Sequence, residues 1–65
     1  MTFDINTHDS WGVVNVGKFQ SIEEARKVFT SICEDPWYMS DGTVKGVELV
    51  DNAAASQRLD WFAFS

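Results

Sequence analysis

Hydrophobic positions between residues 21 and 34 recur at helical spacing. Ile22, Ala25, Val28, Phe29, Ile32 and Cys33 fall at i, i+3, i+6, i+7, i+10 and i+11, which lines them along one face of an α-helix. Glu23, Glu24, Arg26, Lys27, Thr30 and Ser31 fill the other face. Ser21, followed three residues later by Glu24, forms a capping box that satisfies two orphan backbone donors at the helix start. Pro36 lacks the amide hydrogen a helix needs and pushes Asp35 away from helical dihedrals, so the helix is predicted to end near residue 34 or 35.

The flanking segments carry strand patterns instead. Residues 2–6 alternate Phe3 and Ile5 with polar positions, a short strand. Residues 7–10 have turn composition, and 11–16 are rich in β-branched side chains. The first two strands are therefore expected to form a hairpin with a loop of about five residues. Residues 43–51 form the next strand, where the alternation slips around Gly46; glycine inside a strand pattern often marks a bulge. The last strand spans 58–64, with Leu59, Trp61 and Ala63 pointing one way and Asp60, Phe62 and Phe64 the other. Residues 51–57 make the connecting loop, with one helical turn expected over the alanines at 53–55. Residues 36–39 read as a connection with three large apolar side chains, Trp37, Tyr38 and Met39. These either fold back over the core edge or face a partner. Ser40–Thr43 is a turn, with Gly42 at positive φ.

The order is β-β-α-β-β over a single small domain, residues 1–65. This predicts an α+β fold: one amphipathic helix on one face of a mainly antiparallel sheet of three to four strands. The strands over residues 11–16 and 58–64 are apolar on two sides, and one helix covers one side. Val14, Val16, Val47, Leu49, Phe62 and Phe64 are placed under the helix. Trp11, Val13, Val50 and Trp61 are then expected to form an apolar patch on the open face, covered by a wrapping segment, a second copy or another protein.

Composition sharpens this expectation. Hydrophobic residues make up 45% of the 65, and nine are aromatic (five Phe, three Trp, one Tyr). A chain this short buries only about 60% of its unfolded surface, so such apolar content leaves a surplus. Ten acidic against five basic residues give a net charge of −5. Nucleic-acid and anionic-membrane binding call for the opposite sign. No apolar run reaches the roughly 20 residues that span a bilayer. The N-terminal residues lack a signal-peptide pattern, so the cytoplasm is the expected location.

Candidate chemistry is sparse. Cys33 is the only cysteine, which precludes an internal disulfide, and it reads as a small core residue. His8, the only histidine, lies in the turn-like segment beside Asp9 and Ser10, without the nucleophile turn or oxyanion donors of a triad. Asp35, Asp41, Glu48, Asp51 and Asp60 are scattered, and Asp41-Gly42 lacks calcium-loop spacing. Gly12 and Gly17 do not make a phosphate loop, and Lys45 and Arg58 read as isolated and solvated. No catalytic residue, metal ligand or cofactor site is expected, and the chain reads as a non-enzyme.

The function expected from these features is an acidic protein-interaction module, contacting another protein or a second copy through Trp37, Tyr38, Met39, Trp11 and Trp61. In type it is similar to small phage and bacterial accessory proteins that bind and modulate a host protein; no motif names a family. Two other functions fit the composition. One is an acidic nucleic-acid mimic seated in the basic groove of a DNA- or RNA-binding protein. The other is a homo-oligomeric structural subunit joined through sheet edges.

Overall fold

The computed structural model describes residues 2–53 and 57–64, with residue 41 described by its backbone alone. The strands are β1 (Phe3–Asp9), β2 (Gly12–Phe19), β3 (Val44–Asp51) and β4 (Gln57–Ala63); the helices are α1 (Ile22–Glu34) and α2 (Pro36–Asp41). All three strand pairings are antiparallel, in the order β2-β1-β3-β4. The α+β architecture and the β-β-α-β-β order match the expectation.

Local chemistry accounts for α1. The Ser21 side chain accepts from the Glu24 N–H at 3.4 Å, which is the Ser21 half of the predicted capping box. Ala25, Phe29 and Ile32 are buried, and Ile22, Val28 and Cys33 pack at the margin of the same cluster. From the sheet, Phe3, Ile5, Val47 and Leu49 meet them. Within this face Val47 opposes Thr7, and Leu49 opposes Ile5. Val14 and Phe62 extend the row outward, opposite Thr7 and Val47. Phe64 packs against the same cluster. The face predicted to lie under the helix is thus the one that does.

Three details differ from expectation. The hairpin loop is two residues, Ser10 and Trp11, because Asp9 pairs with Gly12. Asp9 Oδ1 accepts from the Trp11 N–H at 2.8 Å and Gly12 takes φ 138°, so a side-chain-closed turn replaces a longer loop. His8 consequently lies within β1, not in a turn. Second, residues 36–39 are helical. The Asp35 side chain accepts from the Trp37 N–H at 2.9 Å, Pro36 sits in the first turn, and Gly42 ends α2 in the left-handed region at φ 79°. Proline costs nothing at a helix start, where its missing N–H has no partner to lose.

Third, each strand pair carries one irregularity. The registers leave Val16, Lys45 and Leu59 as the extra residues in β2, β3 and β4. The bulge predicted at Gly46 therefore falls on Lys45. The bulge at Leu59 inverts the start of β4, so Arg58, and not Leu59, shares a face with Trp61. The helical turn expected at 53–55 lies mostly outside the described residues. At that end of the sheet, Asn52 ties β3 to the first residues. Its N–H donates to the Thr2 carbonyl at 3.0 Å and its side chain to Asp4 Oδ2 at 2.8 Å.

Helix α1 packs on β3, β1 and β2, and its contact with β4 is slight. A helix is about 10 Å across, whereas four strands at about 4.8 Å spacing put the edge strands about 14 Å apart. The helix therefore covers the two central strands and leaves both flanks partly bare. Val14 and Val16 on one side, and Phe62 on the other, are exposed. Removing core volume is expected to cost far more at the centre than at these flanks. Leu49→Ala should destabilise by about 3 kcal/mol and Val14→Ala by less than about 1 kcal/mol, as read by urea unfolding.

Candidate functional site

Two places concentrate side-chain chemistry. The first is the sheet face away from α1. Alternation along β1 sends Asp4, Asn6 and His8 there, and the registers bring Asn15, Glu48 and Arg58 beside them. The result is a polar row across all four strands. Asn15 Nδ2 donates to Asn6 Oδ1 at 3.0 Å, and Asn6 Nδ2 donates to Glu48 Oε2 at 2.9 Å. Arg58 donates to Glu48 Oε1 through Nε at 3.0 Å and lies 2.9 Å from it through Nη2. His8 Nε2 lies 3.1 Å from Glu48 Oε2 and adds to the pull on the carboxylate.

Trp61 roofs this row. His8 meets it edge-on, with centroids 5.1 Å apart, and the Arg58 guanidinium lies 4.7 Å from the ring centroid. The indole lies on Gly46, where a Cβ would collide with it. Glu48 is only 9% exposed. Burial alone pushes its carboxyl upward, but donors from Asn6 and Arg58 and the nearby His8 outweigh that, and its pKa falls below the ordinary 4.5. The group is an ionised acceptor with both oxygens engaged. It structures the sheet, and at neutral pH it holds no proton to donate.

The apolar patch expected on this face is therefore replaced by a polar network. Val50 is buried, Trp11 stands out on the hairpin turn at 83% exposure, and Asn6, His8 and Glu48 occupy the space between Val13 and Trp61. Arg58, expected to be isolated and solvated, is the cation of this network. The reason is register: one bulge at Leu59 moves it onto the face of Glu48.

The second place is the flank of α1 beside β4. An open groove of about 580 Å³ runs between them, with Phe29, Cys33, Met39 and Phe62 as its apolar lining and Arg26, Glu34 and Asp60 at its rim. Arg26 Nη1 reaches Asp60 Oδ2 at 3.5 Å across it. Asp60 Oδ1 also accepts from the Trp61 N–H at 2.8 Å. On the opposite flank, Val16, Val28, Ile32 and Tyr38 line a smaller hollow of about 340 Å³.

Helix α2 closes one end of the groove. It turns Trp37 and Met39 outward, 60% and 58% exposed, and Tyr38 inward. Tyr38 stacks on Phe64 at 5.8 Å and meets Trp37 edge-on at 4.9 Å. The hairpin turn adjoins the same end, since Ser10 shares a hollow with Tyr38 and Met39. Of the five residues predicted to touch a partner, Trp11, Trp37 and Met39 thus gather at one end with their side chains outward. Tyr38 is a half-buried packing residue, and Trp61 belongs to the opposite face. Phe62, at the groove, was assigned to the core under the helix; no pattern along the chain signals that the helix stops short of it.

Among the described residues, no three His, Cys, Asp or Glu side chains group as a metal-binding set. No helix among them is long and apolar enough to cross a membrane. The chain matches no protein-family model, no curated protein and no solved structure.

The Glu48 network generates two predictions. A depressed carboxylate pKa stabilises the fold fully above its ordinary value, and that contribution disappears as pH falls through the lower folded value. Stability should therefore drop below about pH 4.5, and Glu48→Gln should flatten that part of the curve. Glu48→Ala, which strands its donors, should cost about 2 kcal/mol at neutral pH. Gly46→Ala should cost about 2 kcal/mol by overpacking, and less in a Trp61→Val background, where the Phe62 carbonyl oxygen 2.9 Å from the added Cβ remains. Equal costs in both backgrounds would show that the indole is not the obstacle.

Proposed function

We propose that this chain is a protein-interaction module whose contact surface is the α1–β4 groove together with Trp37 and Met39 beside it. The observation that carries this reading is an apolar groove at the point where the fold's own helix layer stops. Its lining, Phe29, Cys33, Met39 and Phe62, has the apolar and aromatic character of interface centres, and charged rims of this kind border such centres. A contiguous exposed apolar surface on a small chain is a docking feature more often than an accident.

The charge distribution favours this over a nucleic-acid mimic. A mimic presents free carboxylates in rows. Here Asp4, Glu48 and Asp60 each face a cation of the fold, Lys18 at 3.6 Å, Arg58 at 2.9 Å and Arg26 at 3.5 Å. The partner we propose is a larger protein that this chain modulates, with the cytoplasm as the setting.

Site-specific photocrosslinking tests the surface. A benzophenone side chain at position 39 should capture the partner in cells, whereas one at Lys18, on the polar face, should not. Trp37→Asp should abolish capture from position 39 while leaving the far-ultraviolet circular dichroism unchanged. Capture from Lys18 alone, or equal capture from both positions, would sink the assignment.

A further inference from the structure

We infer that the occupant of the α1–β4 groove is a basic amphipathic helix supplied by the partner protein, lying alongside α1 as a second member of the helix layer. This rests on the groove being the contact surface proposed above, and it commits to what fills it.

Geometry argues for a helix. The edge strands lie about 7 Å either side of the sheet's midline, and α1 reaches about 5 Å from its own axis. The uncovered strip over β4 has the floor of a helix seat: Phe62 from the sheet, Phe29 and Cys33 from the wall of α1, and Met39 at the end. Helices pack at axial separations of about 8–10 Å, which places an incoming helix over β4 rather than over α1. An added strand fits less well. Pairing on a strand edge needs a regular run of free donors and acceptors. The edge strand β4 is broken by the bulge at Leu59, and the Trp61 N–H is already taken by Asp60.

Electrostatics sets the sign. The rim carries one cation, Arg26, against two carboxylates, Glu34 and Asp60, and the cation is held by Asp60. Glu34 lies in the last turn of α1, which has no basic residue, so its charge adds to the negative pole of the helix dipole. The thiol in the groove reports the same field. Burial, followed by the charges of Asp60 and Glu34, pushes Cys33 above its ordinary value. The chain as a whole carries −5. A helix with apolar residues on one face and Lys or Arg along its borders complements this surface in shape and in charge.

Cys33 is the sole cysteine, so the unmodified protein carries its own probe. Three synthetic peptides of about 18 residues, long enough for helix formation, make the test. One has leucines at helical spacing with lysines on the remaining face. Its twin has glutamates in place of the lysines. The third alternates leucine and lysine and forms strands. Alkylation of Cys33 by iodoacetamide is followed at two pH values. Occlusion slows the reaction at both, whereas a displaced thiol titration does not.

The basic helical peptide should slow alkylation about tenfold when present at ten times its dissociation constant, by simple mass action. The acidic twin should give no protection. Added salt should weaken the protection, and Phe62→Asp, checked for folding by circular dichroism, should abolish it. Equal protection by the acidic twin, or better protection by the alternating peptide, would overturn the basic helix and leave the groove as a contact surface. Protection that rises with the protein's own concentration, with no peptide present, would identify a second copy as occupant and would likewise overturn it. No protection by any peptide at millimolar concentration would overturn it too. The photocrosslinks at position 39 report on the groove independently of all these outcomes.

Discussion

The width of one helix governs this molecule. Four strands need a helix layer wider than α1, and the described residues supply only one long helix. Everything unusual about the surface follows. The core is complete over β1 and β3, where Ile5, Val47 and Leu49 are fully buried. It thins over β2 and β4, whose apolar side chains reach water. Short α2 partly compensates by sending Tyr38 onto Phe64, and in doing so it turns Trp37 and Met39 outward. Trp37 and Met39 are thus displaced to the rim of the helix layer, and Trp61 is the one large aromatic on the far side of the sheet among the described residues.

The far side solves a different problem. A sheet face without a helix has to be wettable, yet Glu48 at its middle is largely buried beneath Trp61 and Arg58. The chain meets this with a charged group that is satisfied in place. Glu48 sits at the centre with donors arriving from both neighbouring strands, and Trp61 and Arg58 lie over it as a partial roof. Such a network ties β1, β3 and β4 together through side chains, in addition to the backbone ladders. A half-satisfied carboxylate in the same position would be a liability, because desolvation without partners costs more than the pairing returns.

Much of this was legible in the residues, and the failures have identifiable causes. The spacing from Ile22 to Cys33 and the Ser21–Glu24 pair specified α1; of the six residues placed beneath it, Val47, Leu49 and Phe64 pack there, while Val14, Val16 and Phe62 lie on the bare flanks. α2 was missed although Asp35-Pro36 is a recognisable helix start, a capping acid followed by proline; its brevity and aromatic content obscured it. The polar face was missed because pairing across strands is non-local. Asn6 and Glu48 are 42 residues apart, and no periodicity along the chain announces that they meet. Arg58 was misplaced by one bulge, which a period-of-two argument cannot foresee. The groove depends on the absence of a neighbour, and absence leaves no mark on a pattern.

The position of β1 has a consequence for how the chain acquires this shape. It is the first strand in sequence, yet it lies inside the sheet, between β2 and β3. The hairpin with β2 closes over a two-residue loop and forms locally within microseconds. The pairing with β3 joins residues such as Ile5 and Leu49, so it waits for the whole helical segment to be made. Until then the inner edge of β1 is open, and α1 has only half a sheet on which to rest. The pairing of β3 with β1 is therefore the long-range closure of this fold, and it carries a larger loop-closing entropy than the β1–β2 hairpin.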